Sequence, residues 1–374
     1  MFRFLHSSDL HLGKRFGNFA GDLPGRLREA RHSAIARLAQ HAREHGASTI
    51  LLAGDTFDTE TPAPEVRRPA LAEMGHDASI RWVLLPGNHD SLQASQLWET
   101  LAAEAPGNVV LALEPRPLAL APGVVLLPAP CTTRRPGRDL TDWMSGEPGT
   151  DGAIRIGLAH GPIREFSEEG AAADVIAPDR AQRANLAYLA LGDWHGGIEV
   201  GPRTRYSGSP EPDRFKHDRP GEALLVGIAG PSAQPEVTPL ATGSFAWRSL
   251  TLHLLEGDDP AAALDTLLPP ARERRQTLAR VVATGRSRLA GRTALAAAAG
   301  HAAPDFAWLD LDDAGLATEC EVEDLDRIDQ AGALREAANA LLAEARDVSL
   351  SAADRDVAWK ALARLYSYAQ EIAR

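Results

Sequence analysis

Short apolar runs alternate with longer amphipathic stretches through the first two-thirds of the chain. We interpret the runs as strands and the stretches as helices, because a helix with one buried face repeats its apolar positions at helical spacing. Residues 27–44 carry Leu27, Ile35 and Leu38 at that spacing, which predicts a helix. A second helix is predicted over residues 65–74, although Pro69 lies inside it.

Further along, the apolar runs come close together and are separated by proline and glycine, which is typical of strands in a mixed or antiparallel sheet. These runs cover residues 109–113, 118–120, 124–127, 154–158, 223–228 and 245–254. Strands that alternate with helices and then follow one another predict an α/β fold. We expect two sheets packed face to face with helices outside, an αββα sandwich.

The pattern of residue types along the sequence changes near residue 240. The segment 230–243 is rich in Pro, Ala, Ser and Thr, so we predict a first domain over residues 1–242 and a second over residues 243–374. In the second domain we predict strands at 277–284 and 306–311 and helices at 292–301, 331–345 and 353–372. This small α/β module has no cluster of ligand residues, so we expect it to position a substrate or a partner.

Composition limits what the protein binds. The net charge is −12 and the isoelectric point is about 5.5, whereas proteins that bind nucleic acid through bulk charge are basic. Any contact with nucleic acid is therefore expected to be local or metal-assisted. The sequence shows neither a membrane-spanning run nor a signal peptide, and Cys131 and Cys320 form no ligand spacing. We predict a cytoplasmic protein without membrane association.

Five of the apolar runs end in residues that commonly bind metals. After these runs come Asp9 and His11, then Asp55 and Asp58, then Asn88, His89 and Asp90, then His160, and finally Asp193 and His195. In open α/β sheets, ligands gather beyond the carboxyl ends of the strands. The repetition therefore predicts one site with several metal ions at that edge of the sheet.

The predicted metal ligands are Asp9, His11, Asp55, Asn88, His160, Asp193 and His195. This set is large enough for two divalent ions that share one carboxylate, and its oxygen and nitrogen donors suit Mn²⁺, Fe²⁺ or Zn²⁺. Asp55 is the expected bridge, because Gly54 before it allows a close turn. We expect His89 to point toward a bound phosphate as a catalytic residue, with Asp90 holding its ring in one tautomer.

Read in order, these motifs resemble the calcineurin-like metallophosphoesterase family. The supporting segments are Asp9-x-His11, Gly54-Asp55-x-x-Asp58, Gly87-Asn88-His89-Asp90, His160-Gly161 and Gly192-Asp193-x-His195. Within the family, the chain is most similar to the SbcD-type DNA repair exonuclease subunits. That similarity rests on His6-x-Ser8-Asp9-x-His11-Leu12-Gly13 and on Tyr206-Ser207-Gly208-Ser209-Pro210.

The resemblance implies the two-sheet sandwich of the family, a C-terminal capping domain and exonuclease action on DNA ends. It also implies Mn²⁺ as the working metal, with Mg²⁺, Fe²⁺ and Zn²⁺ as alternatives, an SbcC-type coiled-coil ATPase partner, and a possible homodimer. The implied ligands of one ion are Asp9, His11, Asp55 and His195. Those of the other are Asp55, Asn88, His160 and Asp193.

One position departs from the family. Asp193 stands where the family usually has histidine. A carboxylate there would favour Mn²⁺ or Mg²⁺ over Zn²⁺; alternatively, Asp193 lies outside the ligand shell and the second ion binds weakly. Asp58 either caps the following segment or contacts a ligand, and His6 is expected to be a buried polar group or to support the ligands.

Other features leave the substrate open. Several cationic side chains have two interpretations: they bind a phosphate backbone, or they are ordinary solvent-exposed residues. These are Arg134, Arg135, Arg138, Arg155, Arg164, Arg203, Arg205, Arg214 and Lys216, with His217 beside them. Two further functions are therefore kept: a phosphodiesterase or phosphatase for small nucleotides, which the acidic charge favours, and a weakly active subunit that docks DNA ends for an ATPase, which Asp193 favours.

Overall fold

The computed structural model describes residues 1–149, 152–163, 175–216, 219–255, 257–319 and 322–372. The chain divides into two compact units, Met1–Ala246 and Trp247–Arg374. None of the helices in the described ranges combines the length and the apolar character needed to cross a bilayer.

Strands and helices follow one another along the chain with these bounds. The strands are β1 (Phe2–Ser7), β2 (Thr49–Leu52), β3 (Arg81–Leu84), β4 (Val109–Leu111), β5 (Leu118–Ala121), β6 (Val124–Ala129), β7 (Ile154–His160), β8 (Tyr188–Gly192), β9 (Ile198–Gly201), β10 (Thr204–Tyr206), β11 (Glu222–Ile228), β12 (Glu236–Ala241), β13 (Ala246–Leu254), β14 (Thr277–Arg288) and β15 (Trp308–Glu319). The helices are α1 (Leu23–Glu44), α2 (Pro64–Gly75), α3 (Ser95–Glu104), α4 (Arg180–Arg183), α5 (Pro260–Leu267), α6 (Ala271–Arg274), α7 (Leu289–Ala302), α8 (Val322–Asp326), α9 (Ala333–Arg346) and α10 (Ala352–Ile372).

Among the described residues, the first unit contains two six-stranded sheets. One has the order β12-β11-β1-β2-β3-β4, in which β1, β2, β3 and β4 run parallel. The other has the order β5-β6-β7-β8-β10-β9, in which β6, β7, β8 and β10 run parallel. Since parallel strands end at a common edge, each sheet gathers the residues that follow its strands at one side.

The hydrophobic cores show how these layers stack. Phe4, Leu51 and Val83 of the first sheet share a core with Leu158 and Tyr188 of the second, so the two sheets pack face to face. The other face of the first sheet packs against α1, α2 and α3, and the other face of the second sheet packs against α4 and its neighbouring loops. The predicted αββα sandwich is therefore confirmed.

Three elements of the first unit depart from the sequence interpretation. The segment 230–243, expected to be a boundary, contains β12, which pairs with β11 at the edge of the first sheet. Helix α3 was not expected, because its buried side chains, Leu97, Trp98 and Leu101, form too short a pattern to stand out. Helix α2 continues through Pro69, at the cost of one backbone hydrogen bond.

The second unit is a small α/β module. Its sheet has the order β13-β14-β15, with β14 and β15 parallel. Helices α5 and α7 pack on the sheet around Leu254, Val281 and Leu295. A further core includes Leu289 of α7 and Leu362 of α10. Arg292 of α7 is buried and donates to Asp313 at 2.8 Å.

Candidate metal centre

The predicted ligands meet at the carboxyl ends of the parallel strands in the first unit. Asp9 follows β1, Asp55 follows β2 and Asn88 follows β3 in one sheet. In the other sheet, His160 ends β7 and Asp193 follows β8. Both sheets therefore contribute side chains to one place, although these residues lie far apart in the sequence.

The first group of ligand atoms comprises Asp9, His11 and His195. The Nε2 atoms of His11 and His195 face each other at 3.2 Å. Asp9 Oδ1 lies 3.8 Å from each of these nitrogens. Two imidazole nitrogens this close, with a carboxylate beside them, could hold a single cation.

The second group comprises Asp9, Asp55 and His160, with Asp193 and Asn88 beside it. His160 Nε2 lies 3.5 Å from Asp55 Oδ2 and 3.7 Å from Asp193 Oδ1. The Asn88 amide nitrogen donates to Asp193 Oδ1 at 3.1 Å. All seven expected ligands are thus brought together.

Asp55 occupies the position between the groups. Its Oδ2 atom lies 3.5 Å from His160 Nε2 in one group and 3.5 Å from His11 Nε2 in the other. Its Oδ1 atom accepts a hydrogen bond from the His89 backbone N–H at 2.9 Å. This arrangement leaves Oδ2 as the atom able to serve two ions at once.

The polar atoms fit a pair of divalent cations. Asp9 Oδ1, Asn88 Oδ1 and His160 Nε2 are buried and have no hydrogen-bond partner among the described residues. Burial lowers the pKa of His160, but the charges of Asp55, Asp9 and Asp193 outweigh it and raise that pKa to about 9. Burial, together with nearby carboxylates, also raises the pKa of Asp55 well above its usual range. Such a cluster attracts positive charge.

The backbone at several of these residues takes an uncommon conformation. Asp9, His11, Asp55 and Asp193 have φ angles of 55°, 41°, 53° and 106°. Residues other than glycine rarely adopt positive φ, and each costs roughly 1–3 kcal/mol. Hydrogen bonds between the loops offset this cost, because Asp9 N–H donates to Gly54 O at 3.1 Å and His11 N–H to Asp55 O at 2.9 Å.

Two glycines allow the strand ends to approach each other. A Cβ atom on Gly87 would lie 2.2 Å from Asp55 Oδ1. A Cβ atom on Gly192 would lie 2.0 Å from Ala53 O and 2.9 Å from His160 Nδ1. Real Cβ atoms are essentially never this close to such neighbours, so larger residues would push the ligands apart.

Comparison with known families agrees with this geometry. The family model described as "Calcineurin-like phosphoesterase" matches residues 2–197. The chain belongs to the calcineurin-like phosphoesterase family. The chain is therefore a metal-dependent phosphoesterase by family, and its ligand groups indicate divalent metal ions.

Individual relatives of this phosphoesterase match over shorter stretches. The SbcD subunit of the nuclease SbcCD from Escherichia coli strain K12 is 33% identical over 137 residues, which cover 34% of this chain and 32% of that protein. Its counterpart in Escherichia coli O157:H7 matches equally. The chain thus matches about a third of the length of these curated relatives. A solved structure, TT1561 of Thermus thermophilus, has a TM-score of 0.39 and 12% identity, covering 64% of this chain and 99% of that chain.

Hydrogen bonds to Nδ1 orient the candidate ligand histidines His195 and His160 of this phosphoesterase. His195 Nδ1 donates to Asp213 Oδ1 at 3.0 Å, and His160 Nδ1 donates to Ala53 O at 2.8 Å. Asp58 Oδ1 lies 3.2 Å from His11 Nδ1, so Asp58 contacts a ligand histidine. The hydrogen bonds to Asp213 and Ala53 fix the tautomers of His195 and His160 in which Nε2 keeps its lone pair for a metal, whereas His11 Nδ1 forms no hydrogen bond among the described residues.

Sequence reasoning missed Asp213. Lys14 Nζ donates to it at 2.7 Å and Arg214 Nε at 2.9 Å. Burial would raise the pKa of Asp213, but the hydrogen bond from His195 and the surrounding positive charges hold it well below its usual range. Asp213 follows a loop and not an apolar run, so the pattern that revealed the ligands could not reveal it.

Arg31 was also missed, although a signal was present. Its guanidinium is buried and donates to Asp9 O at 2.7 Å, Leu10 O at 2.6 Å and Glu211 O at 2.8 Å. It therefore supports the loop that carries Asp9 and His11. Arg31 lies midway between Leu27 and Ile35 on the apolar face of α1, and a charge at such a position indicates a buried hydrogen-bonding role.

The expected contact between Asp90 and the His89 ring is wrong. The Asp90 carboxylate accepts backbone N–H bonds from Phe57 at 3.0 Å and Gly87 at 2.7 Å. The ring of His89 instead donates from Nδ1 to the backbone oxygen of Asp58 at 3.0 Å. Asp90 faces inward because its oxygens satisfy two buried amides, so it joins two ligand loops and does not touch the ring.

His6 is a buried polar group. Its Nδ1 lies 3.1 Å from the Tyr188 hydroxyl, and its Nε2 donates to Leu191 O at 3.1 Å. Burial lowers the pKa of His6 to about 3, so the ring is neutral at physiological pH. It connects β1 of one sheet to β8 of the other, close in sequence to Asp9 and Asp193.

The predicted cationic residues separate into different roles. Arg155, Arg203 and Arg205 form hydrogen bonds within the fold, whereas Arg134, Arg135 and Arg138 lie in the loop that follows β6. Arg214 lies at the centre, with a guanidinium nitrogen 3.3 Å from His195 Nε2. Lys216 Nζ lies 5.1 Å from the centroid of the Trp194 ring. Arg164, His217 and Cys320 lie outside the described residues.

Proposed function

We propose that this chain is a two-metal phosphodiesterase that degrades DNA from its ends during repair. The observation that carries the proposal is the position of Asp55 Oδ2, at 3.5 Å from one histidine nitrogen in each ligand group. A shared carboxylate between two groups of ligands is how enzymes of this kind hold two ions at bridging distance.

Each of the two proposed ions would be held by its own set of side chains, with one carboxylate common to both. Asp9, His11 and His195 would hold one, Asn88, His160 and Asp193 the other, with Asp55 shared. When bound, the pair supplies Lewis acidity toward a phosphate ester and makes a water molecule nucleophilic at neutral pH. The chain's own contribution is to keep His160 and His195 in the tautomer whose Nε2 faces the ligand cluster.

His89 is proposed as the catalytic residue that acts on the substrate. Since Nδ1 donates to Asp58 O, the ring presents Nε2 on its other side. From there a protonated ring would stabilise the phosphate oxygens or give a proton to the leaving oxygen. Asp90 is proposed as a positioning residue, because its carboxylate joins the amides of Phe57 and Gly87.

Two observations support DNA as the substrate. The curated relatives are named as nuclease subunits. Arg214 and Lys216 lie near His195 and Trp194, and they would provide the local positive charge that an acidic chain needs to hold a phosphate backbone.

Further parts of the proposal concern metal, partner and setting. Mn²⁺ is the proposed ion, because oxygen donors outnumber nitrogen donors once Asp193 replaces histidine. The relatives' name implies a second subunit, so we propose an SbcC-type coiled-coil ATPase as partner and the second unit as a capping domain. A cytoplasmic setting stays a prediction from cysteine usage, with Cys131 buried.

A second candidate, hydrolysis of small nucleotides, is favoured by the net charge of −12. Protein purified and supplied with Mn²⁺ separates the candidates when it is given duplex DNA and bis-p-nitrophenyl phosphate in parallel. Release of nucleotides from duplex ends supports the exonuclease. Turnover of the small ester without DNA cleavage supports the second candidate, and DNA binding without either reaction supports a docking subunit.

The matched control for this assay is Asp55→Asn. The substitution keeps the size of the side chain but removes the shared carboxylate, so it should abolish both reactions. Any nuclease activity that survives in Asp55→Asn would come from a contaminant, and the proposal would then lose its support.

A further inference from the structure

A second cluster of ligand-type side chains lies at the C-terminal end of α1. It consists of His41, Glu44 and His45. Each offers a nitrogen or a carboxylate oxygen within 4.8 Å of those of the other two. Residues three and four apart lie on the same face of a helix, which is why the sequence spacing brings them together. None of these side chains takes part in the metal centre described above.

A backbone carbonyl accepts a hydrogen bond from one ring nitrogen of each imidazole, which leaves the other nitrogen with its lone pair. His41 donates from Nε2 to Ala241 O at 3.1 Å, so its Nδ1 carries the lone pair. His45 donates from Nδ1 to His41 O at 2.9 Å, so its Nε2 carries the lone pair. Metal-binding histidines almost always donate their other ring nitrogen to an oxygen in this way.

The Nδ1 atom of His41 is buried and has no hydrogen-bond partner among the described residues. The nearest carboxylate oxygen, Glu44 Oε2, lies 3.6 Å away. Two atoms that bind the same zinc ion at about 2.0–2.1 Å can be no more than about 4.2 Å apart. The distance between His41 Nδ1 and Glu44 Oε2 is therefore suitable for a shared ion. The other oxygen of Glu44 accepts from Gln40 at 2.8 Å, which holds the carboxylate in place.

We propose that His41, Glu44 and His45 form a zinc site. Two imidazoles and one carboxylate are a common zinc ligand set, with water in the fourth position. The C-terminal end of a helix carries partial negative charge, which favours a cation there. Because His41 also contacts Ala241, the last residue of β12, a bound ion would tie α1 to the edge strand of the first sheet.

The zinc site is separate from the metal centre. Helix α1 connects the parallel strands β1 and β2 and packs on their sheet through Ile35 and Leu38. Arg31 of this helix donates to Asp9 O at 2.7 Å. His41 follows Arg31 by ten residues in the same helix, which is about 15 Å along the helix axis. Zinc at the helix should therefore leave the centre's reaction unchanged.

The zinc content of the purified protein tests the proposal directly. The full-length protein and the variants His41→Gln and His45→Gln are dialysed against the same Zn²⁺ buffer, and zinc per chain is measured by elemental analysis. We expect both variants to hold one zinc fewer than the unchanged protein. His32→Gln is the matched control, because His32 lies on the same helix outside the cluster, and it should keep the full amount.

Two results would overturn the zinc site. One is equal zinc content in His45→Gln and the unchanged protein, which would show that the cluster does not bind. The other is loss of Mn²⁺-dependent ester hydrolysis in His45→Gln, which would show that the cluster belongs to the metal centre. Using two histidine variants keeps the test valid if one of them folds poorly.

Discussion

The hydrogen bond between His195 and Asp213 offers a quantitative test of the metal centre. The substitution Asp213→Asn keeps the size of the side chain but removes its charge. Asp213 Oδ1 accepts from His195 Nδ1 at 3.0 Å, and the carboxylate side chain is only 1% exposed. An amide can turn its NH₂ group toward the ring, which would move the ring proton to Nε2 and block metal binding there.

The expected size of the effect follows from the role of such partners. Losing one typically costs about 10–100-fold in metal affinity or activity, which corresponds to about 1.4–2.7 kcal/mol. We expect the low end if the amide oxygen still accepts from His195, and the high end if the contact is lost. Asp213 also binds Lys14 and Arg214. Both of those cations are partly exposed, so water can solvate them and the fold should survive.

The assay is hydrolysis of bis-p-nitrophenyl phosphate as a function of Mn²⁺ concentration, with thermal unfolding measured alongside. The half-saturating Mn²⁺ concentration should rise in Asp213→Asn. Asp179→Asn is the control, because Asp179 makes a surface pair with Arg183 and both side chains are well exposed. An unchanged Mn²⁺ dependence in folded Asp213→Asn would refute the idea that Asp213 orients a metal ligand.

Three further predictions test other parts of the structure. Asp55→Ala should strip both ions, seen by elemental analysis, because both groups share its Oδ2 atom; retention of both ions would show that it is not the bridge. His89→Ala should remove catalysis but keep the metal content, and loss of metal would make His89 a ligand instead. Gly192→Ala should lower the free energy of unfolding in urea by about 1–3 kcal/mol or more, because the new Cβ would lie 2.0 Å from Ala53 O. Gly201→Ala, where a Cβ meets no atom within 4 Å, should change far less; equal losses in both variants would contradict the packing argument.

Some of the fold and the centre could be predicted because the information is local. A strand followed at once by Asp9 or Asp55 places that residue at a sheet edge, whatever the rest of the chain does. The apolar face of α1 is likewise visible in the spacing of Leu27 and Ile35. Helix α3 and strand β12 were harder to predict, because short elements owe their stability to packing on neighbours more than to their own pattern.

The supporting contacts could not be predicted, because they join distant parts of the chain. Asp90 directly follows His89, yet its carboxylate turns to the amides of Phe57 and Gly87. Asp213 reaches His195 from a loop without any regular pattern. Which neighbour a polar side chain chooses depends on which buried groups need a partner, and that is known only once the sheets are packed.

The sequence by itself determined the residue types of the candidate ligands, their order along the chain and the strands that precede them, since these depend on local periodicity. Tertiary structure alone decided that Asp55 Oδ2 lies equally far from His11 and His160. It also decided the positive φ angles at four ligands. Those features arise because the strand ends of the two sheets pack closely against each other. Packing and hydrogen bonding can offset the backbone strain only when both sheets are folded together.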